Sequence, residues 1–141
     1  MRGRTLARRT TTGTAGALAV ADAGLLLCAS FPVVTATAEV PRGTRARTVT
    51  FVVTGDDGRA AEGLACAECL AARVRAPGTG SGRCPARACR SAAAGRLAEG
   101  VRHGRGGVHP GDVELCLEAD ADPFAMAATR LDGHPVPRPV S

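Results

Sequence analysis

Near the N-terminus the chain is mostly apolar from Ala15 to Val34, and no charge interrupts it after Asp22. The uninterrupted stretch from Ala23 to Val34 suits the apolar region of an export leader and is too short to span a bilayer stably. The next apolar positions cluster differently. Thr48-Val-Thr-Phe-Val-Val-Thr54 is β-branched and aromatic, and Gly55-Asp56-Asp57-Gly58 comes directly after it, so the pattern predicts a strand closed by a turn. From Ala60 to Val74 alanine supplies most of the apolarity, and the period fits helix and strand alike. Residues 76–82 read as a loop, Ala88 to Val101 as a short helix fraying at Gly95 or Gly100, and Gly104 to Gly111 as a second loop. Val113 to Cys116 alternates like a strand, and Met126 to Leu131 is a further strand candidate. Short strands with helical stretches and no internal repeat predict an α+β domain: an antiparallel sheet with one or two helices.

The charges sharpen the reading of the N-terminus. Met1 to Thr12 is positive, and Ala36-Thr37-Ala38 places small residues at the −3 and −1 positions of a cleavage site. Charged, apolar and small-residue regions in that order predict a secretory signal at residues 1–38. A flexible segment at 39–47 and a domain at 48–141 would come next, in a secreted, extracellular protein with no membrane attachment after cleavage. The alternative for the same stretch is a buried N-terminal helix. Taking Arg2, Arg4, Arg8 and Arg9 away with the leader leaves 14 arginines against 12 acids. No basic block interleaved with aromatics remains, so nucleic acid is not an expected partner.

At 141 residues there is room for one domain, and its small core would need staples. Only Phe31, Phe51 and Phe124 are aromatic, and all 18 basic residues are arginine. That bias matches codons rich in G and C, and a misframed or decayed gene would share it. Nothing forms a catalytic set. His103, His109 and His134 lie among Gly and Pro without a nucleophile partner, Gly78 to Gly82 lacks the lysine of a phosphate loop, and the acids from Glu114 to Asp122 lack calcium-loop spacing. The chain therefore reads as a non-enzyme without a cofactor.

Six cysteines stand at 28, 66, 69, 84, 89 and 116. In an exported chain Cys66, Cys69, Cys84 and Cys89 are disulfide candidates, and the loss of Cys28 leaves an odd number. The competing reading is a small zinc-binding module in which the same four thiolates make a tetrahedral site, since Cys66-x2-Cys69 has knuckle spacing and Cys84-x4-Cys89 is looser.

From Thr48 onward, the Thr48–Thr54 run is followed by Ala76-Pro77-Gly78 with Pro85-Ala86-Arg87-Ala88-Cys89, then by Cys116 with Asp122-Pro123, and by Asp132-Gly133 with Val140-Ser141. That succession resembles the Streptomyces subtilisin inhibitor-like family of secreted serine-protease inhibitors, whose first strand sits where the Thr48–Thr54 run does and whose later motifs come in step. Arg75 stands where the family has a cysteine, Arg83-Cys84 replaces its His-Pro, and its last segment, which carries the partner of the cysteine matching Cys116, lies beyond Ser141. The resemblance implies a disulfide-stapled domain that pairs as a homodimer. It also implies a substrate-like reactive-site loop at Cys116, Leu117, Glu118, Ala119 and Asp120 that inhibits a secreted, subtilisin-like serine protease. Counted from Cys116, Glu118 enters the specificity pocket and Glu118–Ala119 is the scissile bond; counted back from Asp122-Pro123, Ala119 takes that place. With Cys116 unbraced, inhibition is expected to be weak or absent.

Overall fold

The apolar block after Asp22 does not form one continuous element. In the computed structural model, which describes residues 10, 12–78, 92–106 and 109–141, it divides between a strand, a turn and a helix. Helix α1 (Gly13–Ala19) precedes strand β1 (Leu26–Cys28). A 3-10 turn at Phe31–Val33 comes next, started by Pro32, whose fixed φ and missing N–H suit a helical first turn. It runs directly into α2 (Val34–Gly43), which contains Pro41. Pro41 has no N–H to give to the preceding turn, and the helix stops two residues later.

Helix α3 (Ala61–Arg75) is the longest described element. Its buried residues Ala65, Cys69, Leu70 and Arg73 recur at helical spacing and make one face. Glu62 in its first turn and Arg73 and Arg75 in its last match the helix dipole. Helices α4 (Ala92–Arg102) and α5 (Asp112–Leu117) come after it, and then strands β2 (Ala125–Leu131) and β3 (His134–Val140).

The fold is α+β, with a three-stranded antiparallel sheet in the order β1-β2-β3. Cys28 pairs with Met126 and Leu26 with Ala128, while Ala125 pairs with Val140 and Leu131 with His134. Asp132 (φ 50°) and Gly133 (φ 80°) close the β2–β3 hairpin as a two-residue turn with both residues left-handed, the twist that such hairpins favour. Pro135, Pro137 and Pro139 occupy alternate positions of β3. Pairing at Leu131 and His134 next to the turn directs those three positions away from β2, where no ladder donor is required.

Helix α2 packs on α3 on one side and on β2 on the other. The core joins Phe31, Val34 and Ala38 to Ala65, Cys69 and Leu70, with Cys66, Val74, Leu117 and Ala119 at its edge. Ala125 and Ala127 of β2 are buried as well. Half of the core cluster thus comes from the stretch read as a leader. A cut after Ala38 would fall inside α2, at a residue only 2% exposed.

Several expectations change. Thr48–Thr54 forms no strand, because its neighbours offer no ladder and the sheet is built from β1 and the C-terminal hairpin instead. Val53 and Thr54 are pinned from both sides by close approach to glycines. A Cβ on Gly63 would lie 2.8 Å from Val53 Cγ1, and one on Gly16 would overlap Thr54 Cγ2. The ambiguous stretch from Ala60 to Val74 is helical, and the helix expected from Ala88 is described from Ala92. Val113–Cys116 is helical rather than a strand. Its first turn carries Asp112 and Glu114, favourable at a helix N-terminus, and Asp112 Oδ2 accepts the His109 N–H at 2.8 Å. Residues 39–43, expected in a flexible segment, continue α2. The disulfide staple is not found: no two described cysteines are joined.

Candidate functional site

The segment after α5 carries the residues singled out for a reactive-site loop. Cys116 is exposed on α5, and Leu117, the last residue of that helix, is half-buried against the core. Glu118 ends the helix with an extended backbone (φ −69°, ψ 110°), its N–H still bonded to the Glu114 carbonyl at 3.0 Å and its side chain in solvent. Ala119 turns back onto the core. The outward Glu118 is therefore flanked by two inward side chains.

Asp120 fixes the course of the chain beyond Ala119. Its φ of 60° is a conformation that aspartate tolerates better than most residues. Its N–H donates to the Phe31 carbonyl at 3.1 Å, and two residues on the Asp122 N–H donates to the Pro32 carbonyl at 2.9 Å. The Asp120 carboxylate has two partners of its own. Oδ1 accepts the Thr35 N–H at 2.9 Å, and Oδ2 accepts Arg73 Nη2 at 3.1 Å.

Both partners need it. Thr35 lies in the first turn of α2, where N–H groups have no intrahelical acceptor, and Val33 at the N-cap offers no side-chain oxygen. Asp120 supplies that oxygen from 85 residues away, as an anion at the positive end of the helix. Arg73 is 6% exposed, and a buried guanidinium is tolerated only when it is paired and hydrogen-bonded. Its Nη1 donates to Cys69 Sγ at 2.8 Å, so one side chain links the thiol, the carboxylate and the loop.

The zinc candidates divide. Cys66 and Cys69 share α3, half-buried and buried respectively, whereas Cys84 and Cys89 lie outside the described residues. Among the described residues no group of three or more His, Cys, Asp or Glu side chains converges. The guanidinium on Cys69 also opposes a second cation at that sulfur. Elsewhere, burial raises the Cys28 thiol above its ordinary pKa.

The motif order marks Asp120 only as a loop residue, and it gives no place at the site to Arg73, Thr35 or Phe31. An arginine inside the apolar face of a helix is the available signal for Arg73. No helix among the described residues is long and apolar enough to cross a membrane. No family model matches the chain, and no curated protein or solved structure matches it.

Proposed function

We propose that the chain is a non-enzymatic binding protein that presents Glu118–Asp120 to the cleft of a secreted serine protease, with Glu118 as the specificity residue and Glu118–Ala119 as the bond offered. One observation carries this reading. Glu118 projects into solvent from a segment held on one side by Leu117 in the core and on the other by the Asp120 contacts to Phe31, Thr35 and Arg73. A segment ordered in advance loses less entropy when it docks. The bracing here uses an ion pair and backbone hydrogen bonds in place of a disulfide.

The same geometry limits affinity. Cys116 and Leu117 are helical, so contact on the N-terminal side of the bond requires the last turn of α5 to open. The brace also depends on residues 31–35, which a cut after Ala38 would remove. The binding form is therefore the uncleaved chain, exported with its N-terminal segment in place; pairing as a homodimer is part of the same reading.

The test compares the full chain, residues 39–141 and Glu118→Ala against a glutamate-preferring serine protease and subtilisin. The full chain is expected to inhibit the former at roughly micromolar concentration and to be cut slowly at Glu118–Ala119. Both shortened and substituted forms should lose this. No inhibition, and no cut at that bond, would overturn the reading.

A further inference from the structure

A second face of the molecule has the makings of a recognition surface. Between the end of α2, the end of α3 and the segment before Thr54 lies an open groove of about 360 Å³. Val49, Phe51 and Val74 give it apolar walls, and Arg42, Arg47 and Arg75 stand around them. No acid lines it. None of the three arginines has an ion-pair partner among the described residues. Val49, Phe51 and Val52 are exposed in a chain with only three aromatic residues.

The backbone beside the groove is equally unengaged. From Thr48 to Thr54 no backbone hydrogen bond forms to any other described residue. A β-branched, aromatic run with unused N–H and C=O groups is a template for strand addition. Val53 and Thr54 are held against Gly63 and Gly16, so one end of the run is fixed before any partner arrives.

We infer that this groove binds an extended peptide segment whose groove-facing positions carry both acidic and apolar side chains, added as a strand along Thr48–Val52. Arg47, Val49 and Phe51 are alternate residues that share one face of the run, and every second side chain of an added strand meets that face. Acids at those positions meet Arg42, Arg47 and Arg75, and apolar residues at the same parity meet Val49, Phe51 and Val74. A second copy of this chain is the poorer occupant, since it would set its own three arginines against these. The inference does not depend on the protease-binding reading, which concerns Glu118 on another part of the surface.

The probe is a fluorescein-labelled peptide, about seven residues long, with serine at even positions and glutamate and valine taking turns at odd ones, titrated with the full chain and followed by anisotropy. Three comparisons carry the test. Arg47→Glu with Arg75→Glu, both exposed, gives up only the favourable charge of Arg75 at the end of α3 and should weaken binding at least about tenfold. N-methylation of alternate amides in the probe keeps every side chain but blocks the ladder, and should weaken binding by a similar factor. Polyglutamate of equal length should bind at least about tenfold more weakly than this mixed probe. The inference falls if the probe fails to bind at about 1 mM, or if the N-methylated peptide or polyglutamate binds as well. It also falls if sedimentation shows a dimer of the chain that the charge-reversed variant abolishes and the peptide does not disrupt.

Discussion

Asp120 caps helix α2 through Thr35, and the same carboxylate neutralises the buried Arg73. Two needs created far apart in the chain, an open helix start and a guanidinium out of water, are met by one side chain. Replacing Asp120 with Ala leaves the Arg73 charge without its carboxylate and Thr35 without its acceptor. The expected loss is about 2 kcal/mol, below that of a wholly buried pair because Asp120 is 37% exposed. Asp120→Asn, which still accepts from Thr35, should lose less. Urea denaturation of the two variants gives the comparison, and equal losses would contradict the double role.

Thr37 presents the opposite case. It is buried in α2, and its Oγ1 has no hydrogen-bond partner among the described residues. Thr37→Val keeps the shape and exchanges an unsatisfied hydroxyl for a methyl group. The variant should be more stable by about 1 kcal/mol. A fall in the denaturation midpoint would show that the hydroxyl has a partner after all.

Gly63→Ala normally stabilises a helix by up to about 1 kcal/mol. Here the added Cβ would meet Val53 Cγ1 at 2.8 Å, so the single variant should lose stability. Coupling it to Val53→Ala should recover much of that loss, with an interaction energy of about 1 kcal/mol. Additive effects in this cycle would mean that Val53 is not held against α3.

Cys28 should react more slowly with thiolate-directed reagents near pH 8 than the exposed Cys116, because burial disfavours its thiolate. The linkage has a definite sign. The folded pKa is raised, so the unfolded thiol loses its proton first, and the Cys28 contribution to stability is full below the ordinary value of 9.0 and declines as pH rises above it. Timed alkylation with peptide mass mapping checks the reactivity, and Cys28→Ala should flatten the alkaline fall in stability.

Removal of residues 1–38 takes away β1 together with Phe31, Val34 and Ala38. The remaining chain should show no cooperative thermal transition, whereas the full chain should. A sharp transition and native-like circular dichroism in the 39–141 form would mean that α3 and the hairpin fold without α2.

The sequence makes some of this legible. The α+β class can be read from alternating element types, and Met126–Leu131 is a strand as its pattern suggests. Asp132-Gly133 is a turn of the type its residues favour. The failures have physical causes. Thr48–Thr54 has strand propensity, but a strand exists only where a ladder accepts it, and the ladder went to Leu26–Cys28. Three prolines hide β3, since a pattern reader demotes any run that contains them. Val113–Cys116 alternates like a strand, yet four residues cannot separate two periods, and Asp112 at its head decides for helix. The candidate site is legible only as an order of motifs. Its bracing is not, because Asp120 finds Arg73 and Thr35 through tertiary contacts 47 and 85 residues apart in sequence.

The alternate prolines of β3 have a consequence for how this protein meets its own kind. With Pro135, Pro137 and Pro139 turned outward, the outer rim of the hairpin offers carbonyls but no N–H to an incoming strand. Stacking of sheets into fibrils requires both groups at every second residue. The C-terminal rim is thus silent toward further strands, and the opposite rim, β1, is three residues long. Crowded chains of this protein can touch through side chains, but the sheet itself has nowhere to grow.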